Sequence, residues 1–259
     1  MIVILSIIAF LLGAIMASFF GVIIYRVPKN ESIMFPASHC GDCNHKLAWY
    51  DNIPIISYII LRGKCRYCKS KIGLFSFIYE VICAITLTLV VISLGVNYST
   101  IFYSLLTLIL LFIAGYDYKT YEMLNISLII LGALSIGTFF FNIFYLKENY
   151  LNFLLAGIIG FVVFGLIKII SKVLFKKDAL GGGDVILIGF AGLFLGLFNL
   201  LFAILVGTFV GCVIELTLMA LKLKSKDSLI PFGPYLVLGI IISMLSGDYI
   251  YSWILGMVG

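Results

Sequence analysis

The chain has 259 residues, of which 63% are hydrophobic and only 11% charged, whereas soluble domains are about 45–50% apolar and about 25% charged. This composition excludes a soluble enzyme, and the long apolar runs without alternation exclude the strands of a membrane barrel, so we expect an all-α polytopic membrane protein. The net charge of +5 predicts contact with anionic lipid and gives no support for nucleic-acid binding.

Eight apolar stretches predict helices that cross the membrane, each of which requires about 20 residues. They cover residues 2–25, 75–95, 99–116, 124–145, 151–174, 184–198, 200–222 and 233–256. The sixth stretch is short, and no strong marker fixes the break at 198–200. Because no basic segment precedes the first stretch, we interpret it as an uncleaved anchor and not as a signal peptide. Three parts follow: a first helix at 1–25, a polar loop at 26–73 and a seven-helix membrane core at 74–259.

Basic residues predict the orientation of the chain. All lysines and arginines except Lys147 lie in the loop at 26–73 or in alternate later loops and span ends. Lys and Arg are retained on the cytoplasmic side of short loops. We therefore expect a cytoplasmic 26–73 loop and both chain termini on the outer side of the membrane.

The polar loop contains two Cys-x2-Cys pairs. Thiolates with this spacing form two knuckles that together give a tetrahedral sulfur site for Zn²⁺. Two disulfides are the alternative, which a reducing cytoplasm disfavours. His39 and His45 flank the first pair and are alternative ligands, although four cysteines already complete the shell. The predicted ligands are Cys40, Cys43, Cys65 and Cys68.

Acidic residues at membrane depth are costly and are therefore candidates for function. They are Glu80, Asp117, Asp178, Asp184, Glu215 and Asp248. Asp117 ends the third span and Asp184 begins the sixth, so both lie at cytoplasmic helix ends at similar depth. Two carboxyl groups held close together share a proton, so that one activates water while the other polarises a carbonyl. The alternative is that each aspartate only caps a helix or pairs with a lysine.

Two unusual segments favour the catalytic interpretation. Three glycines, Gly181, Gly182 and Gly183, precede Asp184 and permit a locally unwound helix start that an extended substrate could reach. The last span begins with a rigid proline-containing entry that is suited to lining a cleft. That entry consists of Pro231, Phe232, Gly233 and Pro234.

Several of these motifs, in this order, resemble the bacterial prepilin peptidase family, also called type IV leader peptidases, among the GxGD membrane aspartyl proteases. The resemblance runs nearly from end to end. The segments that carry it are SFFGVIIYRVP at 18–28, PASHCGDC at 36–43, WYDNIPIIS at 49–57, LRGKCRYC at 61–68, DYKTYEMLN at 117–125, DALGGGD at 178–184 and IPFGPY at 230–235.

The resemblance implies that 74–259 is a protease core in a bacterial plasma membrane, and it also implies a substrate and a second reaction. The substrate would be a type IV pilin or pseudopilin precursor, cut after a glycine between a short basic leader and a hydrophobic helix. The second reaction would methylate the new amino terminus from S-adenosylmethionine, and Gly63 and Lys64 match the positions linked to it. Glu80 matches an acidic position of the family that is either structural or substrate-facing.

The chain departs from the family pattern at three positions, none of which is a carboxylate. Leu124 and Phe77 stand where proline is common, and Ile186 stands where lysine is common. Three other functions stay open: a peptidase without methylation, a zinc-binding membrane transporter or assembly factor, and a different intramembrane protease. The last of these would lack the four-cysteine loop, and no inverted repeat favours a transporter.

Overall fold

A computed structural model of the chain describes residues 1–175, 180–225 and 229–258. In these ranges the regular secondary structure is helical, apart from two isolated bridges in the polar loop, so the predicted all-α class is confirmed. The helices are α1 (Ile2–Arg26), α2 (Ile56–Ile60), α3 (Leu74–Leu94), α4 (Tyr98–Thr120), α5 (Asn125–Phe144), α6 (Tyr150–Phe175), α7 (Gly182–Leu195), α8 (Leu197–Ala220) and α9 (Gly233–Val258). Asp178 and the side chain of Asp248 lie outside what the structure describes.

The eight predicted spans correspond to α1 and α3–α9. Among the described residues, α1, α3, α4, α5, α6 and α8 are long and apolar enough to cross a membrane. Helix α7 has only 14 residues, and the apolar stretch Gly233–Gly247 of α9 is also shorter. These helices indicate an integral membrane protein.

The predicted break at 198–200 was placed too late, because the chain turns at Gly196. This glycine has a φ of 76°, which L side chains rarely adopt, and its N–H still bonds the carbonyl of Gly192 at the end of α7. The N–H of Leu197, which begins α8, is satisfied by the Asn152 side-chain oxygen at 3.1 Å. A side-chain cap from another helix therefore supports a break that the local apolar pattern hides.

Contacts divide the chain into two compact units, Met1–Val96 and Asn97–Gly259. In the first unit α1 packs along α3. A Cβ at Gly13 would lie 2.8 Å from the Cys83 carbonyl oxygen, so the two helices approach to backbone contact. The predicted assignment of 74–259 to a protease core concerns function and stays a prediction.

The second unit is built from neighbouring helix pairs in which glycines allow close approach. Helix α6 packs on α7 and α8 packs on α9, while α4 contacts both α5 and α9. A Cβ at Gly192 would lie 2.5 Å from the Ala156 carbonyl carbon, and one at Gly239 would clash with the Ala203 carbonyl oxygen. Helix α7 also contacts α9, so the two helices that carry Asp117 and Asp184 share a neighbour.

Gly192→Ala tests this packing. The added methyl group meets backbone atoms that cannot move aside, so we expect the thermal unfolding midpoint of the detergent-solubilised protein to fall, by the equivalent of about 1–3 kcal/mol. The control is Gly137→Ala, whose nearest neighbour is the Phe102 ring at 4.0 Å. Equal midpoints for the two variants would contradict the close α6–α7 contact.

Candidate active site and metal centre

Asp117 lies near the carboxyl end of α4 and is buried, with 5% of its surface exposed. Its Oδ2 accepts a hydrogen bond from the backbone N–H of Gly233 at 3.0 Å. A Cβ at residue 233 would lie 2.6 Å from this oxygen, so only glycine lets the carboxyl group reach the N–H. Helix α4 ends beyond Asp117 at Thr120, and the C-cap residue Tyr121 adopts the left-handed conformation.

Asp184 lies in the first turn of α7 and is also buried. Its Oδ2 accepts a hydrogen bond from the Gly181 N–H at 3.1 Å, in the position of a capping-box acid. Its Oδ1 is buried and has no hydrogen-bond partner among the described residues. A buried acceptor without a partner is costly, and active sites tolerate that cost where a ligand or water completes the contact.

The two carboxyl groups interact electrostatically across the α4 and α7 ends. Met123, just after α4, packs between their flanking glycines. Its Sδ lies 2.7 Å from the place of a Cβ at Gly183, and its Cε lies 2.7 Å from the place of a Cβ at Gly233. Both glycines thus leave room for the Met123 side chain, whose residue type does not mark it as part of a site.

Lys168 brings a positive charge from α6 to the same region. Its Nζ lies 3.0 Å from the place of a Cβ at Gly182, and its charge acts on the Asp184 carboxyl group. In the sequence, Lys168 is only one of the basic residues that predict the cytoplasmic side. The family's usual lysine position is occupied here by Ile186, and Lys168 supplies a cation from a different helix.

The proline-containing entry to α9 is anchored by a polar cluster. Glu215 of α8 is buried and accepts hydrogen bonds from Lys224 Nζ at 2.7 Å and from Tyr235 Oη at 2.8 Å. Tyr235 follows Pro234 in the first turn of α9, where proline is compatible with a helix start. Glu215, a predicted membrane-depth acid, thereby fixes the turn that presents the Gly233 N–H.

The remaining predicted site residues are divided between the two units. Pro231 and Phe232 precede α9 in the second unit, whereas Gly63, Lys64 and Glu80 lie in Met1–Val96. Glu80 Oε2 accepts a hydrogen bond from the Ile55 N–H at 2.8 Å. The structure therefore joins the predicted residues in two groups, one around the aspartates and one beside the polar loop.

The two cysteine pairs form knuckles with the same backbone geometry. The Cys40 N–H bonds the His45 carbonyl at 3.0 Å, and the Cys65 N–H bonds the Ser70 carbonyl at 2.8 Å. In each knuckle the residue after the second cysteine, Asn44 or Lys69, adopts positive φ and donates back to the first cysteine's carbonyl. Such repetition is typical of a metal site built from two equivalent halves.

All four sulfur atoms converge. They lie within 4.8 Å of one another, with Cys40 and Cys68 Sγ atoms 3.8 Å apart, and the cysteines are free of disulfides. Tetrahedral bonds of about 2.3 Å to one metal place sulfurs roughly 3.8 Å apart. The residues therefore fit a metal ion. His39 and His45 are not part of the cluster; instead the His45 ring stacks on Tyr67.

The cysteine thiols of the cluster differ in pKa. Backbone N–H groups of Cys43 and Asp42 stabilise the Cys40 thiolate and lower its pKa to about 6. The His45 backbone also favours the Cys43 thiolate, but desolvation and the neighbouring sulfurs of Cys68 and Cys40 outweigh it and raise the pKa of Cys43 to about 12. Four thiolates at this distance repel one another, and a bound cation would offset that repulsion.

Helices of membrane-spanning length with two buried, interacting aspartates and a four-cysteine loop fit the class of membrane aspartyl proteases. The bacterial peptidase A24 N-terminal domain matches residues 11–94, and the type IV leader peptidase family matches residues 104–216. The chain belongs to the type IV leader peptidase family.

Relatives named prepilin leader peptidase/N-methyltransferase cover most of the chain. The protein from Pseudomonas putida is 26% identical over 97% of this chain and 94% of its own length. The protein from Vibrio cholerae is 32% identical over 75% of this chain and 77% of its own length. No solved structure matches the chain.

Cys65→Ser tests the metal centre. We expect purified protein to lose its bound metal, because one of four ligands is replaced by a weakly binding hydroxyl, and proteolysis within the 26–73 loop to accelerate. Elemental analysis and limited proteolysis measure these effects. Cys212→Ser, an exposed cysteine outside the cluster, is the control. Full metal content in Cys65→Ser would rule out this cysteine as a ligand.

Gly233→Ala tests the contact at Asp117. The added Cβ displaces the carboxyl group from the Gly233 N–H, and a displacement of this size costs about 10²-fold in rate at an active site. The measurement is kcat/KM for cleavage of a prepilin by purified protein. Gly165→Ala, whose nearest neighbour lies at 3.9 Å, is the control and keeps the wild-type rate.

Proposed function

We propose that the chain is a membrane endopeptidase that removes the basic leader of a type IV prepilin or pseudopilin, with Asp117 and Asp184 as the catalytic pair. The observation that carries the proposal is that two buried carboxyl groups from α4 and α7, each bonded by a glycine N–H, lie on either side of Met123 and act on one another electrostatically. Both carboxyl groups belong to the same compact unit, Asn97–Gly259. Relatives named prepilin leader peptidase/N-methyltransferase also support the proposal.

The chemistry follows from a shared proton on the pair. The ionised carboxylate takes a proton from a water molecule, whose oxygen attacks the scissile carbonyl carbon, while the protonated partner donates a hydrogen bond to the carbonyl oxygen. The C–N bond then breaks and the leaving nitrogen takes up a proton. Oδ1 of Asp184, without a partner among the described residues, is the atom we assign to the water.

The glycines and prolines around the pair shape the substrate path in this proposal. Gly181, Gly182 and Gly183 keep side chains away from the start of α7, so an extended peptide can lie beside Asp184. Pro231, Phe232, Gly233 and Pro234 form the opposite rigid edge. Lys168 sets the charge beside Asp184.

We place the catalytic pair and the 26–73 loop on the cytoplasmic side of the bacterial plasma membrane. The positive-inside distribution of lysines and arginines supports this orientation, with both termini outside and anionic lipid as a surface partner. A basic leader emerging from the membrane on that side would meet the aspartates.

We assign Zn²⁺ to the four-cysteine cluster. An all-sulfur tetrahedral set prefers zinc among common cytoplasmic metals, and closed sites of this kind are structural. In this assignment the ion holds the two knuckles together and contributes folding energy to a loop with little apolar core. The ion has no part in peptide cleavage.

We also propose methylation of the new amino terminus, in which S-adenosylmethionine supplies an activated methyl group. The first unit offers a cavity of suitable chemistry between α1, α3 and the loop. Gly63 does not line this cavity itself, but it contacts Tyr58, which does: a Cβ at Gly63, whose φ is 67°, would lie 2.8 Å from the Tyr58 hydroxyl oxygen. Lys64 follows it at the base of the second knuckle.

Asp117→Asn and Asp184→Asn test the catalytic pair. Each variant loses the proton exchange of one carboxyl group, so we expect leader removal by purified protein to fall at least about 10³-fold. Glu122→Gln, an exposed acid beyond α4, is the matched control and retains activity. Cleavage by either aspartate variant at the wild-type rate would refute the pair, and a partial change in ion leak instead would indicate a transporter.

Mass spectrometry of the wild-type product reports whether a methyl group is added.

A further inference from the structure

The first unit contains a cavity of about 510 Å³ that leader cleavage does not use. This volume lies in the range of small-molecule sites, and α1, α3 and the 26–73 loop form its wall. Acidic, basic, polar and aromatic side chains all line it. Those that matter here are Ser18, Tyr58, Phe77 and Glu80.

Glu80 is the buried anion of this cavity. It projects from the second turn of the apolar helix α3 and has 9% of its surface exposed. Its Oε2 accepts a hydrogen bond from the Ile55 N–H, Ser18 lines the same cavity, and within the described ranges Glu80 forms no ion pair. An ionised carboxylate in such surroundings is costly unless a cation joins it.

A strained turn aims the Ile55 N–H at Glu80. Ile55 has φ 62° and ψ −54°, and the Ile56 N–H bonds the Pro54 carbonyl, which together define a γ-turn of the rare, strained kind. Positive φ is a genuine outlier for a β-branched residue. Strain of this kind persists at ligand sites, where it holds a group in place before the ligand arrives.

An aromatic wall lies on the same cavity. The Tyr58 and Phe77 rings stack with centroids 4.5 Å apart at 19°. Gly63 leaves the space that the Tyr58 hydroxyl occupies, so a larger residue at 63 would shift this ring. A carboxylate beside aromatic faces is a typical environment for an organic cation.

We infer that this cavity binds an alkylammonium group, with Glu80 as its anionic partner and the Tyr58–Phe77 stack as its apolar wall. The inference rests on the proposed methylation, because that reaction brings two such groups to the first unit. One is the new amino terminus of the cleaved precursor, which is largely protonated at neutral pH. The other is the amino-acid end of S-adenosylmethionine.

Glu80→Gln in the full-length detergent-solubilised protein tests the inference. Glutamine keeps an oxygen that accepts the Ile55 N–H and removes only the charge. Two quantities are measured: the affinity for S-adenosylhomocysteine by calorimetry, and the KM for methylation of a synthetic peptide that begins at the mature amino terminus. We expect one of them to weaken about tenfold or more, as for loss of a charged hydrogen bond.

The two measurements distinguish the sources. Weaker binding of S-adenosylhomocysteine assigns the site to the methyl donor, whereas a raised peptide KM with unchanged affinity assigns it to the new amino terminus. Glu31→Gln, an exposed acid of the same unit, is the control and changes neither. Wild-type values for both in Glu80→Gln overturn the inference. A wild-type protein that neither binds S-adenosylhomocysteine nor methylates contradicts the proposed methylation instead.

Metal content and the thermal unfolding midpoint report whether Glu80→Gln is folded. If it is not, Phe77→Leu carries the test, because it removes the aromatic wall without touching Glu80. We expect it to weaken the same measurement severalfold. Unchanged affinity and unchanged KM in a folded Phe77→Leu protein overturn the role of the stack.

Discussion

A carboxylate inside an apolar helix must find a donor, and this chain meets that requirement with backbone N–H groups from irregular segments. The three pairs are Asp117 with Gly233, Asp184 with Gly181, and Glu80 with Ile55. A backbone donor stabilises the carboxylate without neutralising it, so each group keeps its charge available for a proton, water or ligand. The glycine turns and the strained turn before α2 are consequences of that requirement.

Glu215 shows the contrasting solution. It accepts hydrogen bonds from Lys224 and Tyr235, and the charge of Lys224 neutralises the carboxylate. We therefore interpret this acid as structural. Its partners hold the start of α9, and through that turn they position the N–H that Asp117 needs. The ion-paired Glu215 thus helps to position the backbone N–H that bonds Asp117, which forms no ion pair within the described ranges.

Periodicity and spacing identified the parts whose signals are local. Long apolar runs predicted the eight helices, and the two Cys-x2-Cys pairs predicted a cluster that the structure assembles. Contacts between distant segments were not predictable. Met123 matters because two glycines far apart in sequence both leave room for it, and the break at Gly196 depends on a cap from Asn152 of α6. Neither residue is of a type that marks it as a cap or as part of a site.

Helix α7 rises about 21 Å at 1.5 Å per residue, which is shorter than a hydrocarbon layer of about 30 Å. A short apolar element is accommodated by local thinning of the lipid, which draws head groups and their hydration shell toward its ends. Asp184 lies in the first turn of this helix. In the proposed membrane arrangement, local thinning would bring hydrated head groups toward the end of α7 that carries this carboxyl group.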